Sequence, residues 1–301
     1  MLSRKNRLIL LKFLSLFSVV RGYNILIIAL AQYLASIYIL APDLPLREVV
    51  FDLNLFMIVV ASALVIASGY IINNFYDAEK DLINRPRKSM LDRLVSQRFK
   101  LSTYFVLNFL SVLAASYVSF RAVVFFSAYI FGIWLYSHKL KRIPFLGNFV
   151  SATLAISPFF AVFVYYKNFD TVIFVHAMFL FLLILAREMI KDLENMTGDL
   201  AQNYDTIPIL YGAKVSKFLI SGLILLTLIP SLLLIVKFDV GYMHYYFMGC
   251  VLLLLLFLVL LLKSGTKRHY VWLHNILKLI IVVGVFSILL INMDLVLNRI
   301  L

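Results

Sequence analysis

The sequence predicts an all-α, polytopic membrane protein, with about nine transmembrane helices forming one bundle around a central cavity. Three observations carry that reading. Of the 301 residues, 63% are hydrophobic and only 14% are charged, well past the apolar share of a soluble domain, which is roughly half. The apolar residues fall in runs of the length that crosses a bilayer as helix, about 20 residues each. The basic residues crowd into alternate loops. Residues 1–301 are expected to form one transmembrane domain, because no stretch has the composition of a separate soluble unit.

The first segment carries Arg4, Lys5, Arg7 and Lys12 around a short apolar run, Leu8 to Val20. No small-residue cleavage pattern follows it, so an interfacial helix leading into the first span is expected rather than a signal peptide. The spans then run approximately from Tyr23 to Leu40, Leu53 to Phe75, Leu101 to Phe120, Ala122 to Tyr136 and Leu146 to Tyr166. The later ones run from Thr171 to Ala186, Val215 to Val236, Tyr242 to Leu262 and Trp272 to Ile291. Arg21 and Asn24 sit where the first begins, where an arginine is either an interface anchor or a ligand.

A net charge of +13 would suit a nucleic-acid partner if the cations shared a soluble face. They do not. Lys278 falls inside the ninth span, Arg47, Arg121, Lys167, Lys237 and Arg299 fall on one side, and the remaining 22 of the 28 Lys and Arg fall on the other. That asymmetry is the positive-inside rule, so the partner is the lipid bilayer and no nucleic acid is expected. It puts the N-terminus, and the loops after the second and sixth spans, in the cytoplasm of a multi-pass cell-membrane protein. Thiol and zinc chemistry are excluded by a lone cysteine, Cys250, and five scattered histidines.

Both of those loops are acidic. In Asn73-Asn74-Phe75-Tyr76-Asp77-Ala78-Glu79-Lys80-Asp81, the residues Asn73, Asp77 and Asp81 recur every fourth position and share one helix face. Pro86 should end that helix, and Arg85, Arg87 and Lys88 follow at once. The second stretch holds Arg187, Glu188, Lys191, Asp192, Glu194, Asn195 and Asp199, with Gly198 and Pro208 expected to divide it into helix and loop. Carboxylates beside cations suit a site that holds Mg²⁺ and a phosphate together, since Mg²⁺ takes one or two carboxylates plus phosphate oxygens. The alternative is a charge-balanced, solvated turn. The two loops lie four spans apart, as if a four-helix unit occurred twice. A third cytoplasmic stretch, Tyr136-Ser137-His138-Lys139-Leu140-Lys141-Arg142, has cations and no acids.

These motifs resemble those of the UbiA superfamily of intramembrane prenyltransferases. The first stretch is similar to that family's N-D-x-x-D-x-x-x-D motif, with Asp81-Leu82-Ile83-Asn84-Arg85-Pro86 as its sequel. The second, from Arg187 to Asp199 with Thr206-Ile207-Pro208 after it, is similar to the R-E-x-x-K-D-x-E-D-x-x-G-D version of the branch that alkylates a prenylated glycerol phosphate. Leu140-Lys141-Arg142 with Gly147-Asn148, and Arg21 with Asn24, match two further family pairs.

The resemblance implies Mg²⁺-dependent transfer of a prenyl group from an allylic prenyl diphosphate to a lipophilic acceptor. It implies Asp77, Asp81, Asp192 and Asp199 as catalytic residues, joined by Asn73, Asn74, Glu194 and Asn195 as metal ligands. It implies Arg21, Asn24, Asn73, Arg85, Arg87, Lys88, Tyr136, Lys139, Lys141, Arg187 and Lys191 as substrate-binding residues. The chain departs from the family pattern at Asn74, Asn195 and Asn203, the first two of which replace a charge by an amide. Two other readings stay open: prenylation of an aromatic quinone precursor, and a non-catalytic carrier of a lipid phosphate.

Overall fold

The structure is a computed structural model that describes residues 15–292 together with Asn6 and Leu11. Arg4, Lys5, Arg7 and Lys12 lie outside the described residues, and of the expected interfacial helix residues 15–20 are helical. Nine helices among the described residues are long and apolar enough to cross a membrane. They are α1 (Gly22–Ala35, prolonged by a π-helical turn Ser36–Leu40), α2 (Leu53–Tyr76), α3 (Gln97–Val118), α4 (Phe120–His138) and α5 (Leu146–Tyr166). After these come α6 (Thr171–Ala201), α7 (Ile207–Val236), α8 (Met243–Lys263) and α9 (Lys267–Ser287).

Helix starts are written in the sequence. The side chains of Asp52, Ser96, Ser119 and Thr266 accept from backbone N–H groups in the first turns of α2, α3, α4 and α9, satisfying donors that have no partner within the helix. Pro86 acts as expected. A short helix ends at Asn84 and another, Pro86–Asp92, begins on the proline. Pro158 sits within α5 and removes the N–H that would bond the Leu154 carbonyl; the Tyr129 hydroxyl donates to that carbonyl instead, at 3.0 Å.

The second acidic stretch differs from expectation. Gly198 does not interrupt it, and α6 continues for 31 residues to Ala201, about 46 Å at 1.5 Å per residue. That exceeds a hydrocarbon core of roughly 30 Å, so the last turns project from the membrane region. The helix stops where Asn203 adopts φ +54°, the left-handed conformation that ends many helices and that asparagine tolerates.

Packing shows the doubled four-helix unit that the motif spacing suggested. Helix α2 packs on α3, α3 on α4, α4 on α5, and α5 returns to α2; α6 to α9 repeat the same circuit. The halves meet where α5 packs on α6, and α1 leans on α2, α5 and α9. Large apolar side chains such as Phe105, Phe109, Phe120, Leu252 and Leu256 point outward, as lipid-facing surfaces require. Enclosed by α1, α2, α5, α6, α8 and α9 is a cavity of about 300 Å³ whose wall is mostly apolar.

Candidate active site

At the projecting ends of α2 and α6 the two acidic stretches meet, and each supplies an ion pair. Asp77 is 7% exposed, and its Oδ1 lies 2.6 Å from Lys141 Nζ on the connection between α4 and α5. Tyr204, just beyond α6, donates its hydroxyl to the same oxygen at 3.2 Å. Lys80, one turn after Asp77, crosses to the other stretch and pairs with Asp199 at 2.6 Å. The Tyr204 ring lies beneath three cations, Lys80 at 4.4 Å, Arg142 at 4.9 Å and Lys141 at 5.7 Å from its centroid.

Charge balance sets the protonation of this centre. Burial would raise the Asp77 pKa, but Lys141 and Lys80 outweigh it and hold the carboxyl below its usual range. Tyr204 moves the other way, up to about 12, through burial and the adjacent Asp77 charge, so it stays protonated and a donor. Burial works against the charge on Lys80 as well, but Asp77 and Asp199 raise its pKa and keep it cationic.

A second layer ties the loops together. Asn84 donates to the Asn195 carbonyl at 3.3 Å and accepts from the Gly198 N–H at 3.1 Å, while its own carbonyl accepts from Lys267 at 2.9 Å. Arg85 pairs with Glu194 at 2.7 Å, and His274 of α9 lies 3.3 Å from the other Glu194 oxygen. Asp192 accepts from Asn148 at 2.7 Å. Glu188 holds both Arg187 at 3.2 Å and Lys191 at 2.9 Å; Ser151 donates to it at 3.2 Å, and Tyr136 is partly buried near the end of α4. Arg21, in the left-handed conformation, places its guanidinium 5.0 Å from the centre of the Tyr70 ring, whose hydroxyl accepts from Asn24. The pKa of Lys88 is depressed by burial and by the nearby Arg21 charge.

Thus Asp77, Lys141, Lys80 and Asp199 meet beyond the ends of α2 and α6, Asn24 and Arg187 line the cavity, and Asn73 and Asp81 are partly buried one turn to either side of Asp77. Arg87 and Lys139 are exposed. Two of the expected ligands, Asn74 and Glu194, have their side chains engaged elsewhere. Asn74 donates to Asp92 at 3.1 Å and accepts from Lys100 at 2.8 Å, so both ends of its amide are used on the side facing α3. Glu194 has both oxygens against Arg85 and His274, and Asn195 meets the first loop through its backbone.

Sequence reasoning passed over Lys80, Asn84, Asn148, Arg142 and Tyr204. Lys80 and Asn84 lie within the motif run and Asn148 in a quoted pair, but Tyr204 has no signal beyond following Asp199 by five positions.

The UbiA prenyltransferase family matches residues 25–275. The chain belongs to that family. It is 31% identical over 275 residues to the digeranylgeranylglyceryl phosphate synthase of Thermococcus sibiricus, covering 90% of this chain and 95% of that protein. It is 27% identical over 238 residues to the synthase of the same name from Methanobrevibacter smithii, covering 75% of this chain and 80% of that one. A solved structure of a digeranylgeranylglyceryl phosphate synthase superimposes with a TM-score of 0.70 at 23% identity, over 92% of this chain and 97% of that one. A UbiA homologue from Archaeoglobus fulgidus bound to GPP and Mg²⁺ gives 0.67 at 13% identity, over 91% and 99%. At those identities the structural likeness establishes the membrane helical bundle.

The donor set fits a divalent cation of the family's kind. Asp199 is fully buried, and its Oδ2 has no hydrogen-bond donor; a buried carboxylate oxygen in that state is costly unless a cation reaches it. Among the described residues no three His, Cys, Asp or Glu side chains converge as a ready cage. Mg²⁺ needs none, because it completes its oxygen shell with water and substrate phosphate.

Proposed function

We propose that this chain, working as one transmembrane domain, transfers a geranylgeranyl-type prenyl group from an allylic diphosphate to the hydroxyl of a prenylated glycerol phosphate, forming an ether. The observation that carries the reading is the meeting of two carboxylate-cation clusters at the ends of α2 and α6, helices that also wall an apolar cavity. Together with the family match, it favours chemistry over carriage of a lipid phosphate. Unmetallated carboxylates repel a phosphate, so a carrier gains nothing from Asp77 and Asp199 at its binding end.

In this reading Asp77, Asp192 and Asp199, with Asn73 and Asp81 beside them, would hold Mg²⁺, which would supply positive charge to neutralise the departing pyrophosphate. Lys88, Lys191 and Arg21 add positive charge around the same leaving group. Lys141 and Lys80 favour the ionised form of Asp77, Lys80 opposes the burial that raises the Asp199 pKa, and Tyr204 fixes the orientation of Asp77 through its hydroxyl. The apolar cavity takes the prenyl tail and excludes water from the allylic cation. The acceptor oxygen then forms the new C–O bond as the bond to diphosphate breaks, and the released pyrophosphate accepts the hydroxyl proton. We place the mouth at the cytoplasmic side, as the basic loops require.

Purified protein given a radiolabelled prenyl diphosphate and a panel of acceptors should yield labelled ether lipid only with Mg²⁺ present. Label appearing on an aromatic acceptor instead would reassign the acceptor class. Binding of both lipids without any product, under all metal conditions, would overturn the enzymatic reading.

A further inference from the structure

Lys278 is a charged residue eleven positions inside α9, well within a membrane span. Its neighbours on the same helix are accounted for: Lys267 donates to the Asn84 carbonyl, and His274 lies against Glu194. Lys278 instead lines the cavity, and its ammonium lies 4.9 Å from the centre of the Tyr23 ring on α1. Among the described residues no carboxylate lies within ion-pair distance of it. An ionised amine at membrane depth is costly, and such residues face a cavity and serve a ligand.

A second cation shares that wall. Arg187 of α6 lines the same cavity; one terminal nitrogen contacts Glu188, whereas its Nε is buried without an acceptor. Asn24, Gln32, Tyr70, His176 and Tyr246 complete the polar part of the lining, and no carboxylate lines the cavity. This pair is set apart from the clusters that Asp77 and Asp199 form. Arg187 lies twelve residues before Asp199 on one continuous helix, about 18 Å along its axis at 1.5 Å per residue. The molecule therefore has two positive sites: one where each lysine faces a carboxylate, suited to a metal-bound diphosphate, and one where Lys278 has no carboxylate partner among the described residues and Arg187 keeps a free Nε, suited to a bare anion.

We propose that Lys278 and Arg187 bind the phosphate of the acceptor lipid. The ammonium and the free guanidinium Nε supply charge-assisted hydrogen bonds to a phosphate monoester. The Tyr23 ring is half exposed on the outer side of α1, so the Lys278 ammonium bridges the seam between α1 and α9, where a lipid headgroup arriving from the bilayer meets it. The inference rests on the transferase reading, and it assigns specificity for a phosphorylated acceptor to this pair.

The test uses Lys278→Met, which keeps the apolar stem and removes a membrane charge, and Lys278→Arg, which keeps the charge. The probes are geranylgeranylglycerol phosphate and the same lipid without its phosphate. With donor and acceptor varied separately, Lys278→Met should raise KM for the phosphorylated acceptor at least tenfold, leave KM for the donor within twofold, and be rescued by Lys278→Arg. Wild type should prefer the phosphorylated acceptor, and the Met variant should lose that preference. Thermal stabilisation of the detergent-solubilised protein by each lipid gives a readout without turnover: the phosphate should raise Tm in wild type and not in Lys278→Met. If the transferase reading fails, catalysis is absent while this shift still reports the anion site. An unchanged preference and an unchanged Tm shift in Lys278→Met, or a raised KM for the donor alone, overturns the assignment.

Discussion

Asp77 does two things at once, and substitution separates them. Its carboxylate balances a buried lysine, and it presents charge to the site. Asp77→Asn leaves Lys141, 9% exposed, without its counter-ion, and breaking a buried pair from one side costs about 3–5 kcal/mol. We expect the variant to unfold at lower temperature in detergent and to lose at least a hundredfold in turnover. Asp77→Asn combined with Lys141→Met removes the stranded charge, so unfolding temperature should recover while turnover stays lost. Recovery of activity in the double variant would show that Asp77 serves folding alone. Tyr204 belongs to the same unit, since its hydroxyl and the Lys141 ammonium reach one Asp77 oxygen from two separate segments.

Among elements, the close approach of the helix Ala78–Asn84 to the end of α6 depends on a missing Cβ. One built on Gly198 would stand 2.3 Å from Asn84 Nδ2. Gly198→Ala should therefore expel the Asn84 side chain and break its two hydrogen bonds to α6, each contributing about 1 kcal/mol. A lower unfolding temperature is expected. In an Asn84→Ala background the obstacle is gone, and the usual helical preference for alanine over glycine, roughly 1 kcal/mol, should reverse the sign. Destabilisation of equal size in both backgrounds would remove Asn84 as the cause. Gly198 was legible in the sequence as unusual, but its meaning was misread as a break. Glycine in a helix signals either an interruption or a close neighbour, and only the position of Asn84, 114 residues away, decides between them.

For the whole molecule, the reading turns on which face of the membrane the site occupies. Arg121 and Arg142 flank opposite ends of α4 and are both exposed. After Cys250→Ser, which removes the one native thiol, Arg142→Cys should react with an impermeant maleimide only from the cytoplasmic side, and Arg121→Cys only from the outside. The reverse pattern would place the mouth of the cavity away from the cytoplasm.

What the sequence by itself determined is what depends on composition and local spacing. Runs of apolar residues specify spans because a backbone in hydrocarbon must satisfy its own hydrogen bonds. Period-four spacing kept Asn73, Asp77 and Asp81 joined by i, i+4 backbone bonds, although α2 closes at Tyr76 and a separate helix opens at Ala78, and Pro86 bounds that second helix, because these are properties of a few adjacent residues. Tertiary structure decided which side chain faces which. Lys141 meets Asp77 across 64 positions and Tyr204 meets it across 127; Asn74 turns to Lys100 and Asp92 instead of the site, and Lys278 reaches the cavity. In a soluble helix the contrast between polar and apolar faces would have indicated these directions. Here the lipid and the core are both apolar, so that contrast is absent, and helix rotation is set by interhelical packing alone.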